Sequence, residues 1–225
     1  MCGRFVTNAT VKDYFPDLFD EPLADNFNVA PTDDVTVVRE RKGGREAPIV
    51  RWGFVPSWAK SIKQRPQPIN ARIETVATSG MFRKAMTSGR CIVPAAGYYE
   101  WTVMGDGSKQ PHFIHEPDGA LAMAGLVTAW LDPSKKADDP KRWLLSMAII
   151  TRDAHVAPGE VHDRMPACLT PDAFDGWLDM GLDADGALQL LDRESVDVAH
   201  RLAHFPVSSD VNSVRNNGAR LIEPI

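Results

Sequence analysis

With 225 residues, 44% hydrophobic and 24% charged, the chain has the composition of an ordinary globular protein and the length of one domain, 1–225, and no apolar run approaches the ~20 residues of a membrane span. A net charge of −5 argues against a uniformly basic nucleic-acid binder, yet residues 39–90 hold twelve Lys/Arg against three acids, a basic stretch that can steer a polyanion locally on an acidic body. Cys2, Cys91 and Cys168 are widely spaced, odd in number and without a C-x-x-C, which argues against a disulfide framework and a structural zinc site; no metal or cofactor is expected.

The opening MCGRFVTNAT lacks the apolar core of a signal peptide, so a cytoplasmic protein, by default a monomer, is expected. Thr10-Val-Lys-Asp13 has the form of a capping box opening a short helix to about Phe19. Asp33–Glu40 and Ile49–Val55 read as strands separated by a Gly43-Gly44 turn. Ser79–Ser88 reads as a helix with Met81, Ala85 and Met86 on one face. Arg90–Val93 and Tyr98–Val103 read as strands, the second turning through Gly105-Asp106-Gly107 into His112–His115 as a hairpin. The long apolar runs Leu121–Leu131 and Trp143–Thr151 are expected to be core strands, joined by a loop at Asp132–Pro140. Thr170 with Pro171 predicts a capped helix ending near Met180, Ala184–Leu191 a further short helix, and Asn216-Asn217-Gly218 a turn into a closing strand at Leu221-Ile222. Hairpin-joined strands with helices at the periphery, and no regular βαβ alternation, predict an α+β fold with a mostly antiparallel β core.

Cys2 directly follows Met1. Once Met1 is removed, one residue carries a thiol and a free α-amine on adjacent carbons. Such a 1,2-aminothiol condenses with an aldehyde: the amine forms a Schiff base, and the thiol closes onto the imine carbon to give a thiazolidine ring. An α-amine titrating near ~7.8 is neutral in roughly a tenth of molecules at pH 7, against well under ~0.1% for a lysine titrating near ~10.4. While Met1 remains, the amine is locked in a peptide bond and Cys2 is only a thiol.

Four segments combine polar and charged residues at strand ends or loops: Cys2-Gly3-Arg4, INARIE around Asn70 and Arg72, GYYEW around Glu100, and VHDRMP around His162. Each has an ordinary structural reading. Asn70 fits a turn, Glu100 a paired carboxylate on the strand face it shares with Tyr98, His162 a loop cap, and Arg72 a surface ion pair.

Taken together they resemble the SOS-response-associated peptidase family. The resemblance runs from MCGRF through NVAPT, RWGFVPSW, INARIET, CIVPAAGYYEW and HDRMP to SVRNNG, nearly the whole chain. It implies a DNA-damage protein that crosslinks covalently to abasic sites in single-stranded DNA, including strands beside a duplex junction. Cys2 would be the nucleophile, Asn70 a positioning group, and Glu100 and His162 the proton-transfer groups. Arg4 and Arg72 would grip phosphates, while Trp58 and Pro31 would stack on or wedge between bases. Trp52 and Trp101, each within an apolar strand, are assigned to the core, and Cys91 and Cys168 to buried apolar positions.

The chain departs from the pattern at three places. Ala59 stands where some relatives have a second tryptophan. Gly80 stands where some have an arginine, so that Arg83 would take over that phosphate contact. Tyr99 stands where phenylalanine is common. The alternative function is an N-terminal-nucleophile hydrolase acting on peptides or amides in trans, with Cys2 as nucleophile and His162 as base.

Overall fold

The computed structural model of the chain describes residues 2–16, 19, 22–42, 44–154 and 160–225. Along the chain, β1 (Phe5–Thr7) and α1 (Val11–Tyr14) precede β2 (Asn26–Val29), β3 (Asp34–Thr36) and a ribbon of β4 (Arg39–Arg41) with β5 (Gly44–Glu46). A long loop separates β6 (Ile49–Trp52) from β7 (Asn70–Arg72), and α2 (Arg83–Ser88) leads into β8 (Arg90–Ala95) and β9 (Gly97–Val103). β10 (Lys109–His115), β11 (Leu121–Leu131) and β12 (Trp143–Asp153) follow. The chain continues through β13 (Arg164–Pro166), β14 (Cys168–Leu169), α3 (Phe174–Leu178), α4 (Ala184–Ala199) and β15 (Ala203–Pro206).

Two sheets carry the fold. The first runs β15-β10-β9-β1-β2 and is antiparallel throughout. The second runs β14-β11-β12-β6-β3, with β8 also on β11 and β7 and β13 also on β12. Among the described residues only the pairs of β12 with β6 and β7 are parallel. The expected α+β fold with a mostly antiparallel core is what forms.

The apolar runs of β11 and β12 are explained by burial of both faces. On β11, Leu121, Met123 and Val127 face the first sheet, while Ala122, Ala124 and Leu126 face a helical layer holding Phe15, Met86, Phe174, Trp177 and Leu191. On β12, Met147 and Ile149 alternate with Ala148 and Ile150 in the same way. The outer face of the first sheet is covered by the C-terminal segment, where Val207, Val211 and Leu221 pack on Val6, Tyr99 and Phe113.

Two details fix the first sheet where it matters for function. Gly97 begins β9, and a Cβ there would lie 2.4 Å from the Phe113 ring and 2.5 Å from the Ile114 carbonyl oxygen. Only glycine permits that approach, and it sets the register that places Glu100 opposite His112. Asn28 is buried on β2, where its Nδ2 donates to the carbonyls of Val211 (3.2 Å), Ser213 (3.0 Å) and Asn216 (3.0 Å). Its Oδ1 accepts from Arg4 at 2.7 Å. Asn28→Ala leaves those groups unsatisfied, and we expect a loss of about 3 kcal/mol, read as a lower urea midpoint at unchanged slope.

Several local expectations are corrected. Thr10 sits at φ −72°, ψ −18° and makes no cap; its hydroxyl donates to Asn8 Oδ1 (2.8 Å), and the helix ends at Tyr14. The expected Asp33–Glu40 strand divides into β3 and β4, and Gly43 lies outside the described residues. Ser79–Phe82 forms turns rather than helix, so α2 begins at Arg83. Thr170 makes no side-chain cap, because its hydroxyl donates to the Glu194 carboxylate; a 3-10 turn at Pro171–Ala173 leads into α3.

Helix α4 runs eight residues past the expected Leu191. Its buried face continues through Ser195 and Val198. Ser195 is disguised by its polarity, since its hydroxyl donates to the Asp192 carbonyl and accepts from Arg152. The tail closes as a 3-10 turn at Ala219–Ile222, not a strand, with Leu221 buried. No described helix is long and apolar enough to cross a membrane.

Candidate active site

β1 lies between β2 and β9, with Phe5 opposite Tyr98. Because the pair is antiparallel, going back along β1 toward Cys2 and forward along β9 toward Glu100 leads to the same place. Cys2 is fully buried in the core between the sheets. From the second sheet, Asn70 on β7 donates its Nδ2 to the Cys2 carbonyl at 2.8 Å. Burial pushes the Cys2 thiol well above its ordinary range, and the negative charge of Glu100 pushes it further. The sulfur is therefore held as a thiol at neutral pH.

Glu100 is 3% exposed, and His162 Nε2 lies 4.0 Å from its Oε2. Burial raises the Glu100 carboxyl above the usual range, against the pull of positive charge at His162. The His162 tautomer follows from its other nitrogen. Nδ1 accepts from the Arg164 backbone N–H at 3.0 Å, so the neutral ring carries its proton on Nε2, toward Glu100. The Asp163 carboxylate is 2.9 Å from the same Nδ1 but 87% exposed.

The loop bearing His162 is fastened by the Arg164 side chain. The guanidinium donates to both Glu74 oxygens (2.7 and 3.1 Å), to the Asp153 carboxylate and to the Thr151 carbonyl (2.8 Å). Burial would raise the Glu74 carboxyl, but the bonds to Arg164 outweigh it and hold the carboxyl below its ordinary range.

A cleft of about 540 Å³ opens in front of this group, lined by Arg4, Glu100, Trp101, Lys109, His162 and Asn212 among others. Trp101, expected in the core, is half-buried: it packs against the cluster of Val6, Tyr99 and Phe113 and also lines the cleft, its Nε1 donating to Asn212 Oδ1 at 2.7 Å. Trp52 is fully buried as expected, as are Cys91 and Cys168. Arg4 lines the cleft, but its guanidinium also donates to Asn28 and to the Val211 carbonyl at 2.9 Å. Arg72 and Arg83 are exposed, Trp58 is 57% exposed, and Pro31 is half-buried in a turn where Thr32 adopts φ +86°. None of these four lines the cleft. The basic stretch is less uniform than its composition implies. Arg90 is fully buried, donating to the carbonyls of Met86, Trp177, Asp179 and Leu182.

The structure adds Asp163, Arg164, Lys109 and Asn212 to the residues singled out in the sequence. Asp163 and Arg164 were signalled only by adjacency to His162; Lys109 and Asn212 carry no local signal. Two buried polar atoms, Asn70 Oδ1 and the Tyr98 hydroxyl, have no hydrogen-bond partner among the described residues. No group of three or more His, Cys, Asp or Glu among the described residues is placed to hold a metal ion.

The family model for SOS response associated peptidase (SRAP) matches residues 1–214. The chain belongs to the SRAP family. The abasic site processing protein YedK of Escherichia coli K12 is 34% identical over 236 positions and covers all of both chains. YoqW of Bacillus subtilis is 34% identical with 99% of each chain covered, and HMCES of Gallus gallus is 34% identical over 78% of this chain and 56% of its own length. A solved protein from Bacteroides thetaiotaomicron superposes over the full length of both chains with a TM-score of 0.79 at 23% identity, a likeness of fold.

Within this SRAP chain the three departures have structural settings. Ala59 is buried with Val55 and Trp130, whose Nε1 donates to its carbonyl at 2.6 Å, so an aromatic ring there would displace that packing. Gly80 is exposed with open space where a side chain would begin, and Arg83 stands three residues on. The extra hydroxyl of Tyr99 is satisfied by the Phe27 carbonyl at 2.8 Å.

Proposed function

We propose that this protein acts on abasic sites in single-stranded DNA and, once Met1 is removed, joins Cys2 to the ring-opened sugar as a thiazolidine that shields the site from cleavage. The observation that carries this reading is the meeting of two pairs, Asn70 bonded to the Cys2 carbonyl and Glu100 beside His162, the second pair lining a cleft of about 540 Å³, ample for a deoxyribose. Relatives named abasic site processing proteins support the substrate class.

The chemistry balances as a condensation. Glu100, its carboxylate kept basic by burial, takes a proton from the α-ammonium of Cys2. A protonated His162 gives its Nε2 proton to the sugar ring oxygen while the 1′-hydroxyl gives up its own to solvent, and the ring opens to the aldehyde. The neutral amine adds to the aldehyde carbon, the carbinolamine hydroxyl takes the proton held by Glu100 and leaves as water, and the sulfur closes onto the iminium carbon while its proton passes to solvent. Asn70 Oδ1, buried without a partner among the described residues, is suited to accept an N–H of the new terminal amine. Arg4, Arg72 and Arg83 would hold phosphates, and Trp58 and Pro31 would hold bases beside the lesion. Removal of Met1 falls to a host aminopeptidase or to the same three groups acting on their own chain. Hydrolysis of peptides in trans fits less well, because it needs a thiolate as the attacking group and the Cys2 thiol is pushed up, whereas thiazolidine formation starts from the amine.

The test uses protein whose mature N-terminus has been confirmed by mass. Incubation with single-stranded DNA carrying one abasic site should give a heat-stable shifted band. DNA carrying a tetrahydrofuran analogue, which has no aldehyde, should bind and give none. Absence of the band on abasic DNA overturns the proposal.

A further inference from the structure

A second cleft, of about 390 Å³, lies between α2, the β4–β5 ribbon and the far end of β11. Arg39, Arg41, Lys84 and Arg90 line it, with Glu40 the one carboxylate in the lining; Arg39 is paired with Glu46 at 2.6 Å and Arg90 is fully buried, so Arg41 and Lys84 are the cations open to a ligand. The side chain of Arg41 is 63% exposed, with Glu46 no closer than 3.7 Å. Lys84 is exposed and has no ion pair among the described residues. Arg90 is bonded only to carbonyl oxygens there, so no carboxylate neutralises it by direct contact. Ser57, Ser88 and Thr128 add hydroxyl groups, and Trp143, 60% exposed, stands at the rim. A cationic trough with hydroxyl donors and an exposed indole has the components of a single-strand track: charge for phosphates and a flat face for bases.

Its position relates it to the active site. Asn70 pairs with Ile149 on β12, and Trp143 begins that strand six residues earlier. At ~3.3 Å per residue the separation is about 20 Å, or about six stacked nucleotides at ~3.4 Å each. Ser57 is the chain neighbour of the exposed Trp58, and Lys84 of the exposed Arg83. The second cleft is thus bordered by chain neighbours of residues already assigned to DNA. We propose that this trough holds one arm of the single strand flanking the lesion, with Arg41 and Lys84 on phosphates and Trp143 stacked on a base. The inference rests on the DNA reading above and extends it from a lesion pocket to a directional track.

The test separates the two. Binding is measured by anisotropy on oligonucleotides of about seven nucleotides with a central tetrahydrofuran, and on versions with either arm extended by about eight; crosslinking is measured on the short abasic oligonucleotide. Extending one arm, but not the other, should tighten binding by on the order of tenfold near physiological salt. Both Arg41→Gln/Lys84→Gln and Trp143→Ala should remove that gain while crosslinking the short abasic oligonucleotide at the wild-type rate. The double variant should also flatten the salt slope on long DNA by about 1.4, at ~0.7 for each phosphate no longer neutralised. A gain that survives both variants, or no gain from either arm, overturns the track. Failure of the short abasic oligonucleotide to crosslink overturns the reading it rests on, and the anisotropy measurement is independent of that result.

Discussion

Cys2→Ala, in protein with Met1 removed, is expected to give no heat-stable crosslink with abasic single-stranded DNA, and Cys2→Ser likewise. The two parts of the aminothiol fail differently, and that makes the experiment decisive. Alanine keeps the α-amine, which still forms an imine with the aldehyde. Without sulfur the ring cannot close, so the imine hydrolyses on heating. Serine offers a hydroxyl, a far weaker nucleophile toward the imine carbon. Borohydride present during incubation should therefore trap a band from all three proteins, whereas only wild type should give a band without it. Protein that retains Met1 should give no band without borohydride, because its α-amine is one residue away from the thiol and the ring cannot close. The fold should survive: Cys2 makes no hydrogen bond through its sulfur shorter than the 4.0 Å approach to the Arg4 carbonyl. Truncation of one buried sulfur costs about 1–2 kcal/mol, measurable as a modest drop in melting temperature. A heat-stable band from Cys2→Ala would show that another nucleophile makes the bond.

The parts of this molecule that were legible in its sequence are those where one residue type has one physical use. The apolar runs at Leu121–Leu131 and Trp143–Thr151 read as core strands, which the structure buries on both faces, and the Gly105-Asp106-Gly107 turn between Tyr98–Val103 and His112–His115 reads as the close of a hairpin, which forms. The short strands β1, β2, β7 and β13 carry no periodicity of their own, because three or four residues are held by their neighbours on either side. Capping signals misled where the hydroxyl found a different partner, Asn8 for Thr10 and Glu194 for Thr170. At the site, Cys2, Asn70, Glu100 and His162 were visible through their motifs, and the structure brings Cys2 against Asn70 and Glu100 against His162. Trp101 was assigned to the core by the apolarity of its strand, yet it stands at the point where β9 passes from interior to cleft. Asn212 and Lys109 reach the cleft by tertiary arrangement alone, and local sequence has no means of marking that.

Glu100→Gln is expected to trade stability against activity. The Glu100 carboxyl is 3% exposed and its affinity for a proton is raised by burial. A carboxyl raised in the folded state favours folding most when protonated. Its contribution is fully present below the unfolded value of ~4.3 and is lost as pH rises through the elevated folded value. Above that elevated value the wild-type protein carries a buried carboxylate that opposes folding, and glutamine, of the same shape and uncharged, does not. The variant should melt roughly 2–4 °C higher at pH 7 for a chain of this size, and the difference should close as pH falls toward 4. Crosslinking should move the other way, slowing by ~10²–10⁴ because glutamine cannot take the proton of the α-ammonium. The pH–rate profile identifies the group responsible. Wild type should show an acid limb above the usual carboxylate range, set by Glu100, and the variant should keep only the limb set by the amine near ~7.8. A variant that gains stability but loses neither rate nor the acid limb would remove Glu100 from the chemistry and leave it as a buried charge without a catalytic use.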